Sequence, residues 1–281
     1  MQQVISRANN ELRFLDLPDP EFELMPAVAW GRHEEALTPA FWVATAWQWD
    51  FPAQPQFQLG RTLAEEVAVC ILGGYGLPAE VGLAAFDRVA ARLRADSQIA
   101  LPDEAELLEM LSVPLNIRGR RIRYRFAKQR SRYLARALER VNLIDEDTLN
   151  DIGLRTALCD LPGIGPKTAS WIVRNRRASD EVAILDVHIV RACQIMGVFP
   201  ERSDPARSYA RLESLFLEFC RGVGVRASVM DAVMWATMRN LSKKLLRFLL
   251  DQPPSIGGCL QAQEQGLQIC LAQGARETMT R

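Results

Sequence analysis

The sequence predicts an all-α protein, on three observations. Apolar residues recur at helical spacing through most of the chain beyond residue 60. Short glycine- and proline-rich breaks divide those stretches, and Gly73-Gly74-Tyr75-Gly76-Leu77-Pro78 is one of them. Strand signals are weak. The first sixty residues are rich in proline and aromatics (Trp30, Phe41, Trp42, Trp47, Trp49, Phe51), compatible with short strands or turns, but they show no regular alternation.

Taken in order, residues 61–72 place Leu63, Val67, Ile71 and Leu72 on one helical face. A second helix is predicted from Pro78 to about Arg94, with proline in its first turn. Pro102 opens a third, through Leu111. Residues 128–141 are amphipathic, with Tyr133, Leu134, Ala137, Leu138 and Val141 inward. Residues 145–149 read as a capped helix start. Residues 152–159 and 168–175 flank a glycine-rich hairpin, and 187–196, 208–220 and 226–248 are helical by pattern. The glutamine- and glycine-rich tail from Pro253 reads as a short helix with loose ends, and no internal repeat is found.

At 281 residues the chain fits one large domain or two small ones, and 48% hydrophobic residues suffice for a substantial core. The balance of 34 basic and 34 acidic residues argues against a protein that coats nucleic acid by bulk charge, but leaves room for a local basic face. The six cysteines form no CxxC pair and fit neither a zinc nor an iron–sulfur spacing. With no secretory signal and no long apolar run, they read as reduced thiols of a cytoplasmic protein without a membrane span. Two histidines, His33 and His188, are too few for a histidine-built metal site, so no metal centre is expected.

The hairpin is Leu161-Pro162-Gly163-Ile164-Gly165-Pro166-Lys167. Glycine permits backbone angles that other residues resist and leaves peptide N–H groups uncovered. At a helix start, those groups favour an anion. Gly163 and Gly165 therefore suit a DNA phosphate, held without reading sequence. A glycine-capped corner between two helices is the competing reading of the same residues.

Asp186 follows nineteen residues after Lys167, in Leu185-Asp186-Val187-His188. A neutral lysine amine can attack a sugar carbon, expel the base and form a Schiff base. A carboxylate can stabilise the positive charge that develops on the sugar. Lys167 and Asp186 supply both groups. Taken singly, Lys167 is equally a phosphate-binding lysine and Asp186 a helix N-cap, and a capping aspartate can also be catalytic.

The block from Leu158 to Met196 resembles the helix-hairpin-helix DNA glycosylase superfamily, which includes endonuclease III and the 8-oxoguanine glycosylases. The specific match covers about forty residues, and the flanking helices extend a looser likeness over most of the chain. The resemblance implies two helical lobes around a cleft, one of residues 61–186 and one of 1–60 joined to 187–281. It implies Lys167 as nucleophile, Asp186 as the carboxylate, and His188 beside a phosphate near the lesion. The lysine implies a bifunctional glycosylase and AP lyase, and the interval of nineteen residues suits the 8-oxoguanine branch. It implies no required cofactor, a possible monovalent cation on the carbonyls of Cys159, Leu161 and Ile164, and a monomer acting on double-stranded DNA with a damaged base. The chain departs from the endonuclease III pattern in lacking four C-terminal cluster cysteines, and its N-terminal segment is short for a eukaryotic 8-oxoguanine glycosylase.

A flipped base needs stacking surfaces and a group that reads its edge. Trp171 lies one helical turn after Lys167. Asp231 and Trp235 are again one turn apart, and look like the edge-reading and stacking pair of 8-oxoguanine glycosylases of the archaeal type. The expected pocket holds a guanine-like base between Trp171 and Trp235, with Asp231 accepting its N–H groups. Tryptophans at helical spacing are also ordinary core residues.

Ten basic residues lie between Arg118 and Arg140, with Tyr124, Phe126 and Tyr133 among them. They read as a phosphate track with Arg130 as a representative contact, or as a solvated helix face balanced by Glu104, Glu106, Asp145 and Glu146. Tyr75, in the glycine-rich break, is the candidate wedge for the gap a flipped base leaves. The functional expectation is a glycosylase and lyase for a damaged purine, 8-oxoguanine first. The alternatives are a glycosylase for another modified base, or a non-catalytic hairpin module that only binds DNA.

Overall fold

The computed structural model describes residues 1–8, 11–49, 56–74, 76–95, 100–242 and 244. Helices dominate them: α1 (Pro39–Trp49), α2 (Leu63–Leu72), α3 (Ala79–Ala95), α4 (Glu104–Ser112), α5 (Ala127–Val141), α6 (Asp151–Cys159), α7 (Pro166–Arg177), α8 (Val187–Met196), α9 (Pro205–Gly222) and α10 (Ala227–Met238). Side-chain caps fix several starts. Thr62 accepts the Glu65 amide at 3.2 Å, Asp103 that of Glu106 at 2.8 Å, and Asn150 that of Gly153 at 2.7 Å.

The structure adds three antiparallel ribbons to the expected helices. They pair β1 (Gln2–Ala8) with β2 (Glu11–Leu17), β3 (Glu23–Met25) with β4 (Val28–Ala29), and β5 (Leu115–Ile117) with β6 (Arg120–Ile122). The first ribbon buries Val4 and Leu17 but leaves Ile5, Leu12 and Phe14 exposed. Apolar residues stand on both faces, buried on one and exposed on the other, and so erase the apolar–polar alternation by which a strand is read. Helix α1 also lacked a sequence signal, because its residues are apolar nearly all round (Phe41, Trp42, Val43, Ala44, Ala46, Trp47) and show no face.

Two boundaries move. Residues 145–149 form turns rather than a helix start, because the Asp145 side chain accepts the Asp147 amide at 3.2 Å and closes a local turn. Asn150 caps the helix instead. The last predicted helix ends at Met238, and residues 239–240 turn. Its distal part (243 and 245–248) and the tail from Pro253 lie outside the described residues.

Buried side chains form two clusters. One runs from Leu63 to Val182 and holds α2–α7; the other joins Val4–Ala46 to Ala183–Met238. The chain crosses between them at Val182–Ala183, and polar ties hold the crossing. Glu213 on α9 accepts the Ala183 amide at 3.0 Å and pairs with Arg155 on α6. Tyr209 donates its hydroxyl to the Ala183 carbonyl at 2.6 Å. Asp180 accepts from the Ser228 amide at 3.0 Å and from the Arg226 Nε at 2.6 Å.

Glu66, fully buried on α2, makes a further tie within the first cluster. Its Oε2 accepts the amides of Leu59 at 3.0 Å and Gly60 at 2.8 Å, while Oε1 accepts Asn175 Nδ2 on α7 at 2.6 Å. Removing such a carboxylate strands three donors, two of them buried at a cost of about 1–3 kcal/mol each, partly relieved by water. Glu66→Ala should therefore destabilise the fold by about 3 kcal/mol or more, read as a lowered urea midpoint.

Candidate active site

The hairpin between α6 and α7 is built on Gly163. Its φ is +84°, and a Cβ there would sit 2.6 Å from the Tyr133 ring on α5. Glycine is thus required twice, for its backbone angle and for the close approach of the ring. Gly165 differs: it caps α7 with φ −106°, and a Cβ would meet nothing within 4 Å. The space beside it opens onto the start of α7, where backbone amides and the helix dipole attract an anion. Arg140 of α5 donates to the Asp160 carbonyl at 3.0 Å and pins the hairpin from behind.

Lys167 occupies the first turn of α7, half-buried. Trp171 and Arg174 follow at four and seven residues, on the same helical face. Trp171 is half-buried, its six-membered ring edge against Gly73, where a Cβ would lie 3.3 Å away. Arg174 is nearly buried. Its guanidinium lies 4.3 Å from the centre of the Phe57 ring, and its Nε is 3.4 Å from Asp231 Oδ2.

Asp186 caps α8. Both amides it accepts, His188 at 2.8 Å and Ile189 at 3.0 Å, fall on Oδ1. Capping therefore leaves Oδ2 available, so one side chain can serve as cap and as a source of negative charge. His188 feels the charges of Asp186, Arg191, Arg239 and Lys167 together. Its partial burial, opposed by Asp186, holds its pKa below the ordinary histidine value, and its Nδ1 is enclosed without a hydrogen-bond partner.

Asp231 on α10 is buried, and that burial pushes its carboxyl up to about 6 against the opposing pull of Arg174; the charge of Asp186 adds to the rise. One turn on, Trp235 is 36% exposed, with the Arg239 guanidinium 4.4 Å from its ring centre. Electrostatic reach thus links Lys167, Asp186 and His188, and links Asp186 in turn with Asp231 and Arg174. Trp171 and Trp235 belong to helices of different clusters.

Tyr75 lies outside the described residues. Arg130 is half-buried, 6.0 Å from the Phe126 ring centre, with its Nε enclosed. It is less open to solvent than Arg132 or Arg136 on the same helix. Of the acids weighed against the basic segment, Glu106 pairs with Arg92 and Glu146 with Arg176, while Asp145 closes its own turn. Among the described residues no group of histidine, cysteine and carboxylate side chains could hold a metal ion, and no helix is long and apolar enough to cross a membrane.

A family model described as 8-oxoguanine DNA glycosylase matches residues 58–225. The chain belongs to the 8-oxoguanine DNA glycosylase family. Its match to the 8-oxoguanine DNA glycosylase/AP lyase of Fusobacterium nucleatum is 25% identical over 182 residues, covering 60% of this chain and 76% of that protein. The 8-oxoguanine DNA glycosylase of Methanocaldococcus jannaschii superposes with a TM-score of 0.50 at 26% identity, over 62% of this chain and 77% of that one. The enzyme of Thermotoga maritima gives 0.49 at 23% identity, over 62% and 78%.

For this family member, sequence reasoning missed Arg174, Phe57 and Arg239. Arg174 had a signal, since it continues the face of Lys167 and Trp171 at the next helical repeat. Phe57 and Arg239 had none, because their partners are fixed only by the fold. Gly163→Ala should cost about 1–2 kcal/mol from the left-handed backbone alone, and more from the clash with Tyr133. Gly165→Ala should leave stability nearly unchanged while lowering duplex affinity. Paired denaturation and DNA-binding titrations check both.

Proposed function

We propose that this chain excises 8-oxoguanine from duplex DNA and then cleaves the abasic strand, with Lys167 as nucleophile and Asp186 as the stabilising carboxylate. The observation that carries the reading is that Lys167, in the first turn after the hairpin, and Asp186, the cap of α8, both lie within electrostatic reach of His188 in a chain of this family. The hairpin amides beside Gly165 would hold a backbone phosphate. His188 would stand by a second phosphate, next to the lesion.

The chemistry follows from those groups. The lone pair of Lys167 Nζ attacks C1′ of the deoxyribose, and the bond from C1′ to the base breaks with its electrons leaving on the base. Asp186 stabilises the positive charge on the sugar as that bond breaks. Proton loss from the nitrogen and opening of the ring give a Schiff base. Removal of a C2′ proton then expels the 3′ phosphate, and water releases Lys167.

Asp231 would read the base. Arg174 approaches its Oδ2, so Oδ1 can accept the N–H groups of a guanine-like edge, with Trp171 and Trp235 as stacking surfaces. Tyr75 is the proposed wedge and Arg130 a proposed contact. The carbonyls of Cys159, Leu161 and Ile164 are hard oxygen donors of the kind a monovalent cation takes. The Leu161 carbonyl, which accepts the Ile164 amide at 3.1 Å, keeps a second lone pair. Such an ion would supply positive charge beneath the phosphate. We take the protein to act as a monomer.

Borohydride trapping on duplex DNA with 8-oxoguanine opposite cytosine tests the reading. Wild type should form a covalent complex and Lys167→Gln none. A complex with abasic DNA but not with 8-oxoguanine would keep the chemistry and discard the base. No complex with either would leave a binding module.

Asp231 supplies the pH prediction. Below about 6 its carboxyl takes a proton and loses acceptor capacity. Base excision should therefore fall as pH drops through that value, while trapping on abasic DNA should fall less. In Asp231→Asn that part of the excision profile should be flat. Between the unfolded value of 3.8 and about 6 the folded state binds more protons at Asp231, so this group makes the fold more stable as pH falls. The acid loss of excision is thus not unfolding driven by Asp231.

A further inference from the structure

Ribbon β5–β6 and the start of α5 concentrate positive charge away from the hairpin. Arg118, Arg120, Arg121, Arg123, Arg125 and Lys128 are all exposed, and among the described residues none forms an ion pair. Nearby acids do not neutralise them: Glu106 is held by Arg92, and Glu104 lines a hollow beside Lys128 without pairing to it. In a chain whose formal charges sum to zero, six unpaired cations on one short segment are a surplus that something else must balance.

The ribbon is also a built element. Its turn places Arg118 at φ +50° and Gly119 at φ +76°, the two left-handed residues of a tight hairpin. Asparagine or glycine is the usual residue where Arg118 stands, and an arginine there costs about 1 kcal/mol. Arg88 of α3 braces the segment that leads into the ribbon, donating to the carbonyls of Val113 at 2.6 Å and Pro114 at 3.1 Å. Buried Tyr124 anchors the exit, with its hydroxyl on the Leu72 carbonyl at 2.7 Å. A rigid arm thus holds its arginines outward. Between the end of α4 and the segment that leads from the ribbon into α5 lies an open hollow of about 510 Å³, lined by Arg123, Arg125, Lys128, Leu108 and Ser112, with room for a sugar-phosphate unit rather than a lone ion.

We propose that this arm is a second DNA-backbone site, which grips the duplex beyond the damaged nucleotide. The proposal rests on the glycosylase reading for its partner, because charge complementarity to a polyphosphate is what the arm offers. Its reach is bounded by the fold. Tyr133, against which the hairpin packs, lies about 9 Å along α5 from the helix start at 1.5 Å per residue. Residues 123–126 and the ribbon together add at most about 23 Å. The arm therefore touches phosphates within about ten base pairs of those held by the hairpin. Contacts to the backbone alone fix register and add affinity without reading sequence.

The test substitutes Arg118, Arg120, Arg121 and Arg123 together by glutamine, and measures binding to abasic-analogue duplexes over a range of salt. Each lost phosphate contact should lower the slope of log affinity against log salt by about 0.9, so a fall of about 2 or more is expected. Trimming the duplex to about four base pairs on one side of the lesion should cost wild type affinity and leave the variant indifferent. Borohydride trapping at saturating DNA should be equal in the two proteins. An unchanged salt slope, or equal loss on trimmed and full duplexes, overturns the proposal. Failure of the glycosylase reading shows separately, as absent trapping by wild type, while the binding comparison still decides the arm.

Discussion

The Glu66 carboxylate takes three hydrogen bonds in the core of the first cluster, and one of them, from Asn175, fixes helix α7 against α2. A buried charge is tolerable only when it is satisfied in this way. The residues after Asn175 continue the fastening, with Arg176 on Glu146 and Arg177 on Asp151. The C-terminal end of α7 is therefore held from several sides. Its N-terminal end carries Lys167 and the hairpin. A side chain in the first turn of a helix is placed only as well as the helix is, so this fastening sets the position of Lys167, the proposed nucleophile.

From the same helix Arg174 reaches across to Asp231 on α10. That contact joins the cluster carrying Lys167 to the cluster carrying Asp231 and Trp235. It also partly offsets the burial that raises the Asp231 pKa. The carboxylates divide their work by oxygen atom. Asp186 caps α8 with Oδ1, and Asp231 meets Arg174 with Oδ2. Each retains an oxygen for other use, which is how structural and chemical roles can share a residue.

Charge is distributed in two ways over a neutral chain. Buried and half-buried acids are matched by cations, as in Glu65 with Arg94, Glu213 with Arg155 and Asp180 with Arg226. Along the β5–β6 ribbon and one side of α5, exposed cations have no carboxylate partner among the described residues. Net charge alone hides this contrast, because acids committed to buried pairs cannot screen exposed arginines elsewhere.

The sequence by itself determined the periodic helices and the hairpin. The helix of residues 187–196 was legible to the residue, because an aspartate cap and a glycine stop bracket it. Lys167 and Asp186 could be singled out as candidates because the proposed chemistry depends on residue type and a short interval. Tertiary structure alone decided the rest. The N-terminal ribbons and α1 carry no periodic signal, since their exposed apolar residues and all-round burial leave no face to read. Asn150 displaced Asp145 as a cap through a local turn that the residue types do not distinguish. Arg174 meeting Asp231, Phe57 under Arg174, and the commitment of Glu106 and Glu146 elsewhere join residues far apart in the chain. Helical spacing orders neighbours within about two turns; which distant side chains meet is set by how the helices pack.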